Sequence, residues 1–187
     1  MLCPDLPLRV EPPEDPAEDP LDDFSDAAEL RGRLQAIVTR KADQVAFADG
    51  ETLIAADTVV ADGVTVFGQP PEETLRETLH AWMRRLGGRT HQVMTAVEVR
   101  TGDRIKRAIA TTQVTMRPYD AATVDWYVAT GEPLGKAGGY AVQRLGSVLI
   151  ERVEGSLTNV IGLPLETLRT LLSDLDSGMT RATPSRR

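Results

Sequence analysis

Residues 52–63 read TLIAADTVVADG. Small and β-branched residues fill the run, and Asp62-Gly63 closes it with a hairpin signal. A strand is predicted there, with residues 64–67 as its short return. Upstream, Ala27, Leu30, Leu34, Ile37, Val38, Ala42 and Val45 recur at helical spacing, which predicts a helix over 27–47 with Asp26 as its cap. Downstream, Pro70 and Pro71 open a second helix over 72–86, ended by Gly87-Gly88. THQVMTAVEVR and residues 105–116 read as two long strands joined at Thr101-Gly102-Asp103. A third helix is predicted over 121–130, then the loop GEPLGKAGGY, a strand over 146–152 and a last amphipathic helix over 165–175. Alternating helices and strands indicate an α/β fold with a mixed sheet.

The 187 residues suit one domain, with an ordered core over about 6–175 and a loose tail over 176–187. Six prolines in the first 26 residues forbid a regular helix there, although Leu6 to Val10 has the makings of a strand. The formal net charge of -7 argues against a general nucleic-acid binder, which would present a basic face. A small anionic ligand needs only a few local cations and stays compatible with that charge. A single cysteine, Cys3, rules out an intramolecular disulfide and fits a reducing compartment. No run approaches the roughly 20 apolar residues of a membrane span. The acidic, proline-rich start lacks the basic and apolar regions of a signal peptide, so the cytoplasm is the expected location.

Asp57 is the first candidate for chemistry. It is a carboxylate inside an otherwise uncharged apolar strand, a costly position unless the group is paired, hydrogen-bonded or beside a metal. Capping a turn is the plainer alternative. Lys136 lies among Gly135, Gly138 and Gly139, where backbone amides and a point charge can hold phosphate. The segment lacks the GxxxxGK[ST] pattern, and a flexible surface loop would look the same. Gln143 carries donors and acceptors suited to a base edge, or is simply a surface amide. Lys41 sits near the end of the first helix, where the helix dipole alone favours a cation. His80 and His91 have no partner at ligand spacing, so zinc is not expected, and His91 is read as structural. Trp82, Trp126 and Tyr127 fall on helices and are read as core.

Four blocks, ADTVV, THQVMTAV, YVATGEPLGKAGGYAVQ and GSLTNVIGLPL, occur in an order and spacing that closely resemble the Maf proteins. The resemblance runs from about Leu6 to Leu175. It implies an α/β architecture with a bent mixed sheet, flanking helices and a cleft between two lobes. It also implies hydrolysis of nucleoside triphosphates to monophosphate and pyrophosphate, and the ADTVV and GSLTNVIGLP blocks look like the branch acting on dTTP and UTP. Asp57 matches the family's general base. Thr58 and Gln143 match positions linked to substrate choice, and Lys41 and Lys136 match lysines of the nucleotide cleft. A divalent cation, Mg²⁺ or Mn²⁺, is implied, with Asp57 and an acidic loop residue at Glu14 as its ligands. A homodimer is a family-level expectation.

Three departures accompany the match. The family begins with a strand and a turn reading SxSPRR, whereas this sequence begins MLCPDLPL. Gln69 stands where a lysine is usual, and Gly135 where an aspartate is usual. These leave a second reading open, a nucleotide-binding homologue with a regulatory role that hydrolyses poorly, and a third, a coding sequence that starts further upstream.

Overall fold

Among the described residues, five strands form one sheet in the order β2-β1-β3-β4-β5, built from β1 (Leu53–Asp62), β2 (Thr65–Phe67), β3 (Thr90–Thr101), β4 (Arg104–Met116) and β5 (Ile150–Glu154). The structure is a computed structural model, and it describes residues 7–12, 21 and 24–177. Every strand pairing among the described residues is antiparallel, so the parallel pairing of the expected mixed sheet is not among them. Two of the four pairings, β1–β2 and β3–β4, are hairpins turned at Gly63 and Gly102, both with positive φ, so these neighbours in sequence pair directly. The β1–β3 and β4–β5 pairings are antiparallel although helices over 75–86 and 121–129 lie between those strands in the chain.

β3 is the central strand. It is buried almost throughout and pairs with β1 over Leu53–Ala61 and with β4 along its whole length. Its alternate residues face opposite ways and meet different helices. On one face, Met94 and Ala96 join Val59 and Ala61 against Leu30, Leu34 and Val38 of α1 (Ala27–Asp43). On the other face two apolar clusters lie apart. One gathers Val60, Phe67 and Val93 with α2 (Leu75–Leu86) and α3 (Ala121–Ala129). The other joins Val97 and Val99 to Leu168, Leu171 and Leu175 of α5 (Leu165–Ser177). A short helix, α4 (Leu157–Ile161), packs on β3 and β4. A sheet flanked by helices, with a cleft on its two-cluster face, is the α/β architecture expected.

Element boundaries differ from the reading of the sequence in several places. The helix expected over 72–86 is 3-10 over 72–74 and α-helical from Leu75, and the last helix runs on to Ser177, into the tail expected to be loose. α1 stops at Asp43, because Val45 continues the apolar repeat but is only half-buried, and a further turn would bury little. Residues 7–10 form no strand, and Leu8 and Val10 are exposed. Residues 145–149 form a 3-10 turn, and β5 begins only at Ile150. α4 was not foreseen. It is capped by the Ser156 hydroxyl, which accepts from the Asn159 amide at 3.1 Å.

Candidate functional site

Asp57 sits mid-way along β1, opposite Ala96 of β3, and its neighbour Thr58 sits opposite Thr95. β2 covers β1 only from Val60 to Asp62, so the outer edge of Leu53–Val59 has no strand partner among the described residues. The pleat sends the two side chains to opposite faces. Asp57 meets α1, where Lys41 Nζ donates to its Oδ1 at 2.8 Å. Both side chains are mostly buried, 19% and 17% exposed, so each neutralises a charge the other would otherwise bring into an apolar setting. The cation favoured by the helix dipole is thus also the partner of the strand carboxylate.

Thr58 points to the two-cluster face. Its hydroxyl bonds the Thr95 hydroxyl at 2.8 Å and donates to the Gly162 carbonyl at 3.2 Å. Thr95 in turn reaches the Asn159 carbonyl. The fully buried Asn159 donates its side-chain amide to Val93 O and Thr112 Oγ1, both at 3.0 Å. Its Oδ1 accepts no hydrogen bond from a described residue. A polar stripe of threonines and one asparagine therefore runs between the two apolar clusters.

Over that stripe opens a cleft of about 240 Å³, whose lining includes Asp57, Thr58, Gln69, Lys136, Tyr140 and Gln143. One wall of the cleft comes from the glycine-rich loop. Gly135, Gly138 and Gly139 all hold positive φ, which lets the chain turn sharply over β1 and α2. An added Cβ at Gly138 would lie 2.9 Å from Val60 Cγ2, and one at Gly139 would lie 2.3 Å from Leu79 Cδ2. These two glycines serve close packing. Their amides are already committed, Gly138 N to Gly68 O and Gly139 N to Lys136 O, both at 2.9 Å, so anion binding by them is not supported. The Gly138 bond also ties the loop to the segment holding Gln69. Both Gln69 and Gly135, the positions that depart from the family pattern, line the cleft.

The structure thus brings Asp57, Thr58, Lys136 and Gln143 to one cleft, with Lys41 behind Asp57. Glu14 lies outside the described residues. His91 is buried and bonds the Tyr140 hydroxyl through Nε2 at 2.7 Å, in keeping with a structural role. Burial lowers its pKa to about 4, with Asp62 opposing the shift. Trp126, read as core, is 44% exposed, while Tyr127 beside it is fully buried. Among the described residues no group of three or more His, Cys, Asp and Glu is placed so that it could hold a metal ion by itself. A magnesium-type ion that keeps several waters and takes phosphate oxygens needs only one or two carboxylates. Asp57 fits that need as the one acid lining the cleft among the described residues. Thr95, Asn159 and Tyr140 were not picked out from the sequence. The GSLTNVIGLPL block was the available signal for Asn159, but its contacts span 47 and 66 residues.

The profile of the family described as Maf, Maf-like protein, matches residues 7–175. The chain belongs to the Maf family. Among its Maf-type relatives, a protein of Thermus thermophilus named dTTP/UTP pyrophosphatase is 43% identical over 140 residues, which are 74% of this chain and 71% of the relative. A dTTP/UTP pyrophosphatase of Cereibacter sphaeroides is 39% identical over 148 residues, 78% of this chain and 74% of that protein. One of Pyrococcus furiosus is 35% identical over 122 residues, 65% of this chain and 63% of that protein. No helix among the described residues is long and apolar enough to cross a membrane.

Proposed function

We propose that this Maf-family chain is a nucleoside triphosphate pyrophosphatase, acting on dTTP, UTP or related nucleotides, modified ones included. The observation that carries this is the meeting of Asp57, paired with Lys41, and Lys136 in one cleft that also holds Thr58 and Gln143. The names of its relatives point the same way. In the reaction, a water oxygen bonds to the α-phosphorus and the bridging bond to the β-phosphate breaks. Monophosphate and pyrophosphate leave, and the water proton goes to Asp57 as general base. Lys41 orients that carboxylate, and Lys136 binds phosphate as a point charge. Gln143 offers an amide to the base edge, and Thr58 completes the wall beside it. Asp57 would hold a divalent cation, Mg²⁺ or Mn²⁺, whose chemistry is to offset negative charge on the phosphates. Positioning and electrostatics carry most of such catalysis.

The reading takes residues 1–187 as one domain in the cytoplasm, with Glu14 as a second metal ligand and a homodimer as the working assembly. Pyrophosphate release from dTTP and UTP with Mg²⁺ or Mn²⁺ tests it. Release is expected from the parent chain and not from Asp57→Ala. A full panel of triphosphates that yields no pyrophosphate would sink the enzyme reading. Nucleotide binding by calorimetry in that case would favour the regulatory homologue, to which the loss of charge at Gln69 and Gly135 also points. A monodisperse monomer in light scattering would remove the dimer.

A further inference from the structure

The loop that carries Lys136 and Gln143 leaves the end of α3 and returns to the sheet at the 145–149 turn. Its two ends are joined by one side chain. Glu132 Oε1 accepts the Tyr127 hydroxyl at 3.0 Å and the Gly146 amide at 2.7 Å, while Oε2 accepts the Leu145 amide at 3.0 Å. The Tyr127 hydroxyl also accepts the Ala141 amide at 3.1 Å. Burial opposes ionisation of Glu132, but the Gly146 and Leu145 amides and the Tyr127 hydroxyl outweigh it and hold the carboxyl below its ordinary pKa. The fit leaves no slack: a Cβ added at Gly146 would come within 2.6 Å of Tyr127 Oη and 2.8 Å of Ala141 O.

Gln143 lies midway between the anchored amides, two residues after Ala141 and two before Leu145. Its backbone is pinned from both sides, while its exposed side chain at the cleft makes no hydrogen bond to a described residue. A reading group held this way is preorganised: the main chain is fixed and the amide is left for a ligand.

We infer that Glu132 and Tyr127 are positioning residues for nucleotide choice, closing the loop so that Gln143 meets the base in one fixed pose. The inference rests on the proposed role of Gln143, and it adds two residues that do not themselves line the cleft. Tyr127→Phe removes the hydroxyl and keeps the buried ring. Glu132→Gln keeps the shape but puts an NH₂ against at least one donor, leaving it unmet.

The test is the ratio of kcat/KM for dTTP or UTP over that for GTP, measured by pyrophosphate release. In Tyr127→Phe and in Glu132→Gln that ratio is expected to fall by on the order of tenfold, through KM for the pyrimidine triphosphate, with kcat changed far less. In a Gln143→Ala background, which lacks the preference already, either substitution is expected to change the ratio by less than about twofold. Folded variants, with parental circular dichroism and melting, that keep the parental ratio overturn the inference. So does a loss that multiplies undiminished in the Gln143→Ala background. If Tyr127→Phe fails to fold, the half-exposed Glu132→Gln decides. A parental ratio in Gln143→Ala itself removes the base-reading role and the inference with it. Absent pyrophosphate release in the parent counts against the proposed activity alone. The inference is then decided by calorimetric Kd values for the same triphosphates in the same variants.

Discussion

Lys41 and Asp57 lie 16 residues apart in sequence and 2.8 Å apart in space, each less than one-fifth exposed. Removing one member of such a pair leaves the other charge in a partly desolvated setting. Lys41→Met is expected to lower kcat/KM by on the order of a hundredfold, as loss of one preorganised group near the reacting phosphate does. Steady-state pyrophosphate release measures it, and unchanged kinetics would separate Lys41 from the site. His91 offers a second test. Its pKa in the fold is about 4 against an ordinary 6.5, so the unfolded chain takes up the proton first as pH falls. The stability it contributes is complete above about pH 6.5 and drains away toward pH 4, by up to about 3 kcal/mol. Urea midpoints across that window should slope less in His91→Phe than in the parent. What the sequence reveals at this scale is residue type. Asp57 was conspicuous as an acid among apolar neighbours, but its pairing with Lys41 is a tertiary fact that no spacing encodes.

Among the elements, β1, β3 and β4 and their turns were legible because alternation, β-branching and Asp-Gly or Gly-Asp turns are local signals. α4 was not, since five residues are too few to show a helical period. The 3-10 turn at Leu145–Leu149 read as strand because its apolar residues are equally frequent in strands. The glycine-rich loop is legible in the sequence, which leaves open whether its amides hold phosphate or it is a plain surface loop, whereas in the structure two of its glycines make room for Val60 and Leu79. Gly139→Ala combines a 2.3 Å contact with φ of +68 and is expected to destabilise by about 1–3 kcal/mol. A shift in the urea midpoint would register it, and a parental midpoint would show that Leu79 yields without cost. Asp26 caps α1 through the amides of Ala28 and Glu29, at 2.8 and 2.9 Å, and Asp26→Ala should cost about 1 kcal/mol in the same assay.

Across the molecule, the α1 face is locked to the sheet by a buried charge that the sequence reading passed over. Glu98 on β3 is fully buried and accepts from Thr39 of α1 at 2.6 Å, Arg100 at 2.5 Å and Arg107 of β4 at 2.7 Å. Arg100 continues to Asp43 at the end of α1. Burial works against the Glu98 carboxylate, but these donors prevail and its pKa is lowered. Glu98→Ala leaves Arg100 without its buried partner and is expected to destabilise by about 3–5 kcal/mol, seen in urea unfolding. A much smaller change would mean that the arginines find solvent easily. Family membership and the broad α/β class were legible at this scale. The antiparallel course of the described sheet was not, because alternating helices and strands fit either direction until pairing is seen.

The pleat between Asp57 and Thr58 has an evolutionary consequence. Under the proposed roles, adjacent codons specify the proton acceptor and a wall of the base site, yet their side chains occupy separate neighbourhoods, one under α1 and one beside Thr95 and Gly162. Drift in nucleotide preference can therefore proceed on one side of the strand while the ionic partner of the carboxylate is conserved on the other. Laboratory libraries confined to Thr58, Thr95 and Gln143 would explore new substrates while leaving the Lys41–Asp57 pair in place.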